Sequence, residues 1–254
     1  MRRSREESEE NLRDIRKLAR FPFTQAMNNR HRALDLIEYI PAYLLLKFLG
    51  VLPRRKAITL GYIVGALAYH FWSRLRKVGL RNLELAFPEL SPQERTALLK
   101  RVFRNLGRLL GEFSQFPKLN CGNIAEIVVY EGLENYQRAI ARGKGVLILT
   151  AHFGAWELSS FAHSLYGYPI HFLVRRLDNP LLEELIEKYR TLGGNRTVTK
   201  KEAARRVLAA LRQGEAVGIL MDLNTQPHEG IFCDFFGIPC CTSPIIAHFA
   251  LRTG

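Results

Sequence analysis

The spacing of apolar residues changes once along the chain. Before Pro117, apolar residues form long stretches that charges interrupt, a pattern typical of helices. After Pro117, short apolar runs alternate with segments of helical period, which predicts an α/β fold with a mostly parallel sheet flanked by helices. The chain therefore divides into a helical region, 32–118, and an α/β domain, 119–254. A highly charged arm, 1–31, precedes both.

The α/β domain is predicted to contain four strands, each bounded by turn or helix signals. They cover 124–130, 146–150, 169–174 and 216–221. The second of these is expected to be the central strand and to be buried on both faces, because 146–149 is an uninterrupted apolar run. Helices are predicted at 134–141, from 153 onward, at 180–191, from a capping box of Thr199 and Glu202 to Gly214, and from about 242 to 254.

Two apolar segments of the helical region suit helices at a membrane surface. Segment 34–52 contains Asp35, Glu38 and Lys47, which favours an interfacial helix. Segment 57–73 has 17 residues without Lys, Arg, Asp or Glu, at the lower edge of the roughly 17–25 that a spanning helix needs. Basic clusters flank it on both sides, whereas a spanning helix usually has a one-sided positive bias. A helix at the surface or packed in the protein is favoured, and the core of a helical subdomain is the alternative.

A clear helix start follows these segments. Ser91 can cap, Pro92 suits the first helical position, and Glu94 completes a capping box. The helix is expected to continue to about Glu112. Its basic residues predict a solvated or membrane-facing side.

Charge is concentrated in the helical region. The chain has a net charge of +13, and residues 32–118 carry 15 basic and 6 acidic residues. Such a field attracts polyanions. No nucleic-acid-binding module is present in the sequence, so an anionic membrane surface is the expected partner and nucleic acid is not. An acidic carrier protein would be attracted by the same charge.

The candidate chemistry begins at His152, which follows the apolar run 146–149. Ligands of open α/β sheets tend to bind at the carboxyl ends of strands. Residues five apart in one helix point about 140° apart, so His152 and Glu157 could not meet within a regular helix. If His152 precedes the helix and Glu157 lies in its first turns, the carboxylate can reach the imidazole. The other ring nitrogen could then act as a general base towards a hydroxyl.

Simpler interpretations of this pair remain open. A His near a Glu is often only a structural pair, and two residue types at one spacing recur by chance. Zinc is disfavoured, because no second His stands at helical spacing from His152. We predict no metal and no cofactor.

Two more polar residues follow predicted strands. Arg175 comes after 169–174 and Asp222 after 216–221, so both are expected at the same sheet edge as His152. Arg175 could bind a phosphate or a developing oxyanion. Asp222 could have either of two roles. It could hold the residues that contact the substrate, or it could itself contact a hydroxyl of the substrate. A surface cation and a strand-end cap are the respective alternatives.

Several blocks in order resemble one known family. They are the His152–Glu157 spacing, 81–90, Arg175 followed by 177–180, 218–222, 230–237 and Thr242. Over residues 32 to 254 the chain resembles the lipid A biosynthesis (lauroyl/myristoyl) acyltransferases of the lysophospholipid acyltransferase superfamily. The resemblance implies a glycerol-3-phosphate acyltransferase-like fold, with residues 119–254 as the acyltransferase domain and 32–118 as a membrane-associated region.

The resemblance also implies a reaction and its partners. A fatty acyl group would pass from acyl-acyl carrier protein to a hydroxyl of a lipid A (Kdo-lipid) precursor, at the cytoplasmic face of the inner membrane, without a cofactor. His152 would be the general base and Glu157 would orient it. Arg175, whose offset from 178–180 matches the family's arginine, and Asp222 would bind substrate.

Departures from the family leave alternatives. Leu223 stands where the family often has glutamine, and Arg176 where it has proline. The family normally continues through another strand and helix, so we expect the chain to be truncated at its C-terminal end. Another membrane glycolipid acceptor, such as phosphatidylinositol mannoside, would use the same motif. A non-catalytic membrane-binding homologue is the third hypothesis.

Overall fold

The computed structural model of the chain describes residues 32–199 and 202–254. The charged arm predicted for residues 1–31 lies outside these residues. Four helices come first: α1 (Arg32–Val51), α2 (Arg54–Phe71), α3 (Ser73–Ala86) and α4 (Pro92–Ser114). The α4 cap is as predicted, because the Ser91 hydroxyl accepts from the Glu94 N–H while the Glu94 carboxylate accepts from the Ser91 N–H.

Helices α2 and α4 pack with their backbones in close contact. Gly61 and Gly65 on α2 face Gly107 and Gly111 on α4. A Cβ atom placed on Gly107 would lie 2.0 Å from the Gly61 carbonyl oxygen. Beside these glycines the Arg54 guanidinium binds the buried Glu112 carboxylate at 2.9 and 2.6 Å. Close packing of the two backbones, together with an ion pair near one end, therefore holds the two helices against each other.

The α/β part contains a parallel four-stranded sheet with the order β1-β4-β2-β3. Its strands are β1 (Val146–Thr150), β2 (Ile170–Val174), β3 (Arg196–Thr199) and β4 (Ala216–Leu220). The accompanying helices are α5 (Leu133–Ile140), α6 (Trp156–Leu165), α7 (Pro180–Thr191), α8 (Ala203–Arg212) and α9 (Ile245–Thr253). Strands β5 (Ile231–Phe235) and β6 (Ile238–Thr242) form a separate antiparallel hairpin. The predicted α/β class with a parallel sheet and flanking helices is confirmed.

Two apolar clusters form the core of this part. In one, Phe161 of α6 and Tyr189 of α7 pack with Phe116 and with Leu46 of α1. The Phe116 and Phe161 rings stack with centroids 4.3 Å apart. The other cluster joins α8 and α9 to β4. Because Leu46 belongs to the first cluster, the helical region packs directly against the α/β part.

Three predictions for the α/β part are wrong. Residues 124–130 are not a strand, because the Ile124 N–H donates to the Asn120 carbonyl and the chain forms a 3₁₀ turn over Ile124–Glu126. Residues 146–150 were predicted to be the central strand and buried on both faces, but they form β1 at the edge of the sheet, and β4 lies inside. None of the residues of β1 is buried, and Leu149 is 67% exposed. Thr199 ends β3, which was not predicted, and Glu202 precedes α8 without a side-chain cap bond.

The exposed apolar side chains of the helical region include a row on α1 and a corner between α2 and α3. Within residues 32–199 and 202–254, no helix has both the length and the hydropathy to cross a membrane. Helix α1 presents a row of exposed apolar residues at helical spacing. These are Ile37, Ile40, Leu44, Phe48 and Val51. At the corner between α2 and α3, Phe71 is 83% and Trp72 60% exposed. We call these two surfaces the α1 row and the α2–α3 corner.

Candidate active site

The sheet topology brings three strand ends to one edge. Strands β1, β4 and β2 are neighbours and parallel, so their carboxyl ends lie side by side. His152 follows β1, Asp222 follows β4, and Arg175 follows β2 directly. Thr150 pairs with Leu220, and the Met221 N–H donates to the Thr150 carbonyl at 2.9 Å. The segments that carry His152 and Asp222 therefore leave the sheet alongside each other.

Asp222 holds His152 through both its backbone and its ring. The His152 N–H donates to Asp222 Oδ2 at 2.9 Å, and Nδ1 of the ring lies 2.9 Å from Asp222 Oδ1. On another side the ring meets Trp156 edge-on, with centroids 5.3 Å apart. The imidazole is thus fixed in position and orientation, although about a third of it is exposed.

The charge of Asp222 sets the tautomer of the His152 ring. Partial burial would raise the pKa of Asp222, but the hydrogen bonds from the His152 ring and backbone outweigh it and hold that pKa below its ordinary value. Asp222 is therefore an ionised acceptor at neutral pH, and we assign the proton of the His152 ring to Nδ1. Nε2 then keeps its lone pair, as a general base requires.

Glu157 does not make the contact with His152 that its spacing suggested. Both of its carboxylate oxygens accept from Arg190 Nε, at 3.1 and 3.0 Å, and Oε1 also accepts from the Nη2 group of Arg190. Glu157 lies in the first turn of α6 and Arg190 near the end of α7, where a planar guanidinium can bind a carboxylate through two nitrogens. This ion pair links α6 to α7. The carboxylate that contacts the imidazole belongs to Asp222.

Arg175 shares the sheet edge with His152 and Asp222. It directly follows β2 and is exposed. A few residues on, Asn179 is buried and caps α7 by accepting from the Leu181 N–H at 3.0 Å. The Asn179 amide also donates to the Asp35 carbonyl of α1 at 2.9 Å. The segment that carries Arg175 is therefore tied to the helical region, a link that the sequence did not indicate.

A cleft of about 330 Å³ lies beside His152. One wall is formed by the segment after β1, where Gly154 has a left-handed φ of 58° and open space at its Cα. The other wall is α4. The lining residues are His152, Gly154 and Trp156 on the first wall and Arg101, Val102, Asn105 and Leu106 on the second. Sequence reasoning missed the α4 residues, since its only signal there was a basic helix side.

Comparison with known proteins assigns the chain to a family. The profile of the bacterial lipid A biosynthesis acyltransferases matches residues 28–254. The chain is 30% identical over 179 residues to the lipid A biosynthesis palmitoleoyltransferase of Escherichia coli K12, an overlap of 70% of this chain and 58% of the relative. It is 29% identical over 192 residues to the lipid A biosynthesis lauroyltransferase of the same organism, an overlap of 74% and 60%.

A third relative gives the same assignment. The lipid A biosynthesis acyltransferase of Haemophilus influenzae is 25% identical over 202 residues, which covers 78% of this chain and 63% of the relative. The chain thus spans about three fifths of the length of the curated relatives it matches. Because the family profile covers the helical region as well as the α/β part, the chain belongs to the bacterial lipid A biosynthesis acyltransferase family.

Proposed function

We propose that this chain transfers a fatty acyl group from acyl-acyl carrier protein to a hydroxyl of a lipid A precursor. The observation that carries the proposal is the contact between His152 and Asp222, which leaves one imidazole nitrogen available beside a partly apolar cleft. The relatives named for palmitoleoyl and lauroyl transfer in lipid A biosynthesis support the acceptor class.

The proposed reaction is a direct transfer. Nε2 of His152 takes the proton of the acceptor hydroxyl while that oxygen attacks the carbonyl carbon of the thioester. The carbon–sulfur bond then breaks, and the imidazolium returns its proton to the leaving thiolate. Asp222 stabilises the positive charge that the imidazole carries in between, at 2.9 Å from Nδ1. No covalent bond to the protein is needed at any step.

The ion pair between Glu157 and Arg190, and the side chain of Arg175, support this chemistry in the proposal. The ion pair between Glu157 and Arg190 fixes the first turn of α6, and hence Trp156, whose ring contacts His152. Glu157 is then a positioning residue. Arg175, at the same sheet edge, supplies a cation for the oxyanion that forms on the thioester carbonyl or for a phosphate of the substrate.

We propose that an anionic membrane surface is a further partner, at the cytoplasmic face of the inner membrane. The α1 row and the α2–α3 corner expose apolar side chains that have no protein neighbour to cover them among the described residues. Arg74, Arg76 and Lys77 follow the corner directly. Apolar residues beside cations are the composition of helices that lie in a membrane interface.

Loss of the α2–α3 corner is expected to weaken membrane binding. A variant with Phe71→Ser and Trp72→Ser should bind vesicles of phosphatidylethanolamine and phosphatidylglycerol at least about tenfold more weakly, since two large apolar side chains no longer enter the interface. Vesicle flotation measures the bound fraction. A matched control replaces Val129 and Leu192, which are exposed in the α/β part, with serine. Equal losses in the two variants would contradict a membrane role for the corner.

The enzymatic proposal is tested by transfer of a radiolabelled acyl group from acyl-acyl carrier protein to a lipid A precursor in detergent micelles. We expect a labelled lipid product with the wild type. If another glycolipid is labelled instead, the proposal of acyl transfer stands and the proposal of a lipid A precursor as the acceptor is wrong. If the protein consumes no acyl donor with either acceptor, the enzymatic proposal is wrong.

A further inference from the structure

The cleft beside His152 contains a cation that the proposed chemistry does not use. Arg101 of α4 lines the cleft, and among the described residues it forms no hydrogen bond or ion pair. The neighbouring cations of α4 are engaged. Arg95 donates to the Leu90 carbonyl, Arg108 to Asn105, Lys100 lies over the Tyr69 ring and Arg104 over the Tyr62 ring. Arg101 is thus set apart on its helix by facing the cleft.

Asn105 adds a second donor on the same helix face. It stands one turn after Arg101, so the two side chains are neighbours. Its Oδ1 accepts from Arg108 Nε at 2.9 Å, and this contact assigns the amide orientation. The Nδ2 group is left to donate and has no partner among the described residues. A guanidinium with an adjacent amide N–H₂ is a donor set that suits phosphate oxygens.

The rest of this wall is apolar. Val102 and Leu106 also line the cleft and are 41% and 49% exposed, and Trp156 faces them from the other wall. A ligand that fits must therefore present an anionic group to Arg101 and a hydrocarbon or apolar body to its neighbours. A phosphorylated amphiphile or a phosphorylated thiol carrier has this character.

We infer that Arg101 and Asn105 form a phosphate-binding subsite of the His152 cleft. The inference rests on the proposed function, since it assumes that the substrates enter this cleft. Two substrates carry a phosphate: the glycolipid acceptor, and the phosphopantetheine arm of the acyl donor. The subsite holds one of these phosphates and so sets the position of that substrate relative to Nε2 of His152.

Trp156 gives a direct readout of the subsite. The chain has two tryptophans, so Trp72→Phe leaves Trp156, which lines the cleft, as the only one. In this background, phosphopantetheine and pantetheine are titrated against the emission of Trp156. A lipid A precursor in micelles is titrated in the same way, with and without phosphatase treatment. The phosphorylated and phosphate-free forms of each probe differ in the phosphate alone.

Arg101→Gln is expected to weaken the binding of one phosphorylated probe by about 10- to 100-fold, the range for a lost charge-assisted hydrogen bond. Binding of the phosphate-free form should be unchanged, and Arg101→Lys should restore part of the affinity. Arg104→Gln, which removes a cation from the same helix outside the cleft, is the matched control. An effect on phosphopantetheine assigns the subsite to the donor, and an effect on the lipid assigns it to the acceptor.

Three results would overturn the subsite: equal losses in Arg101→Gln and Arg104→Gln, equal affinities for phosphorylated and phosphate-free probes, or no response of Trp156 to any probe. The experiment needs no turnover, so it is separate from the proposed function. If binding depends on Arg101 but no acyl transfer occurs, the subsite stands and the enzymatic proposal falls. If acyl transfer occurs and one of the three results above is found, the enzymatic proposal stands and the subsite falls.

Discussion

His152→Ala is expected to lower the rate of acyl transfer by about 10²- to 10⁴-fold, the usual contribution of a positioned general base. Asp222→Asn should cause a loss of similar size, because an amide in this position no longer requires the proton on Nδ1 and no longer balances the imidazolium. The rate is measured with saturating acyl-acyl carrier protein and lipid A precursor. Binding of substrates should change little in either variant, since both residues act mainly on the transition state.

Comparison of Glu157→Gln with Asp222→Asn distinguishes the roles of these two carboxylates. The structure places Asp222, and not Glu157, against His152, so Asp222→Asn should cost more turnover than Glu157→Gln at equal folded fraction. Asp234→Asn on β5, where the side chain is exposed, is the control for a change of charge alone. Full activity of Asp222→Asn together with an inactive Glu157→Gln would reject the proposed pair and restore Glu157 as the partner of the base.

The sequence predicted the edge of the sheet at which these residues lie. The apolar runs before His152, Arg175 and Asp222 are strands, and parallel strands end on one side. The pairing of side chains at that edge depends on strand order. Because β4 inserts between β1 and β2, Asp222 comes beside His152 although it is 70 residues away in sequence. A local spacing such as that between His152 and Glu157 contains no information on this order.

The features of the fold that were predicted wrongly or missed have related causes. Strand β3 was missed because Val198 is its one fully buried apolar residue, so that no apolar run marks it. The segment after Asn120 has the apolar composition of a strand, but its N–H groups bond to carbonyls a few residues before them, which closes turns instead. The α4 wall of the cleft was hidden because Arg101 differs from its basic neighbours only in what it faces.

The contact between α2 and α4 leads to the second large prediction. Gly107→Ala is expected to destabilise the protein, because the new Cβ would lie 2.0 Å from the Gly61 carbonyl oxygen and 2.7 Å from the Gly65 nitrogen. Overpacking usually costs about 1–3 kcal/mol, and replacing a helical glycine with alanine returns about 1 kcal/mol. Both clashing atoms here belong to backbone, so neither can rotate away and the two helices must separate. We therefore expect an overpacking cost at the upper end of that range and a net loss of about 2 kcal/mol in the free energy of unfolding.

Chemical denaturation of the wild type and the variant measures this loss, and Gly79→Ala is the matched control. Gly79 is also helical, but a Cβ there would meet the Leu99 side-chain methyl group at 2.5 Å, which can move, so the control should change stability little. Because α4 carries Arg101 and Asn105 on the side opposite Gly107, a displacement of α4 should change the shape of the cleft as well. Gly107→Ala should then weaken the phosphate-dependent binding that the emission of Trp156 reports, even where the variant is still folded. A variant as stable as the wild type would show that the α2–α4 contact tolerates a side chain and that the glycines are not required there.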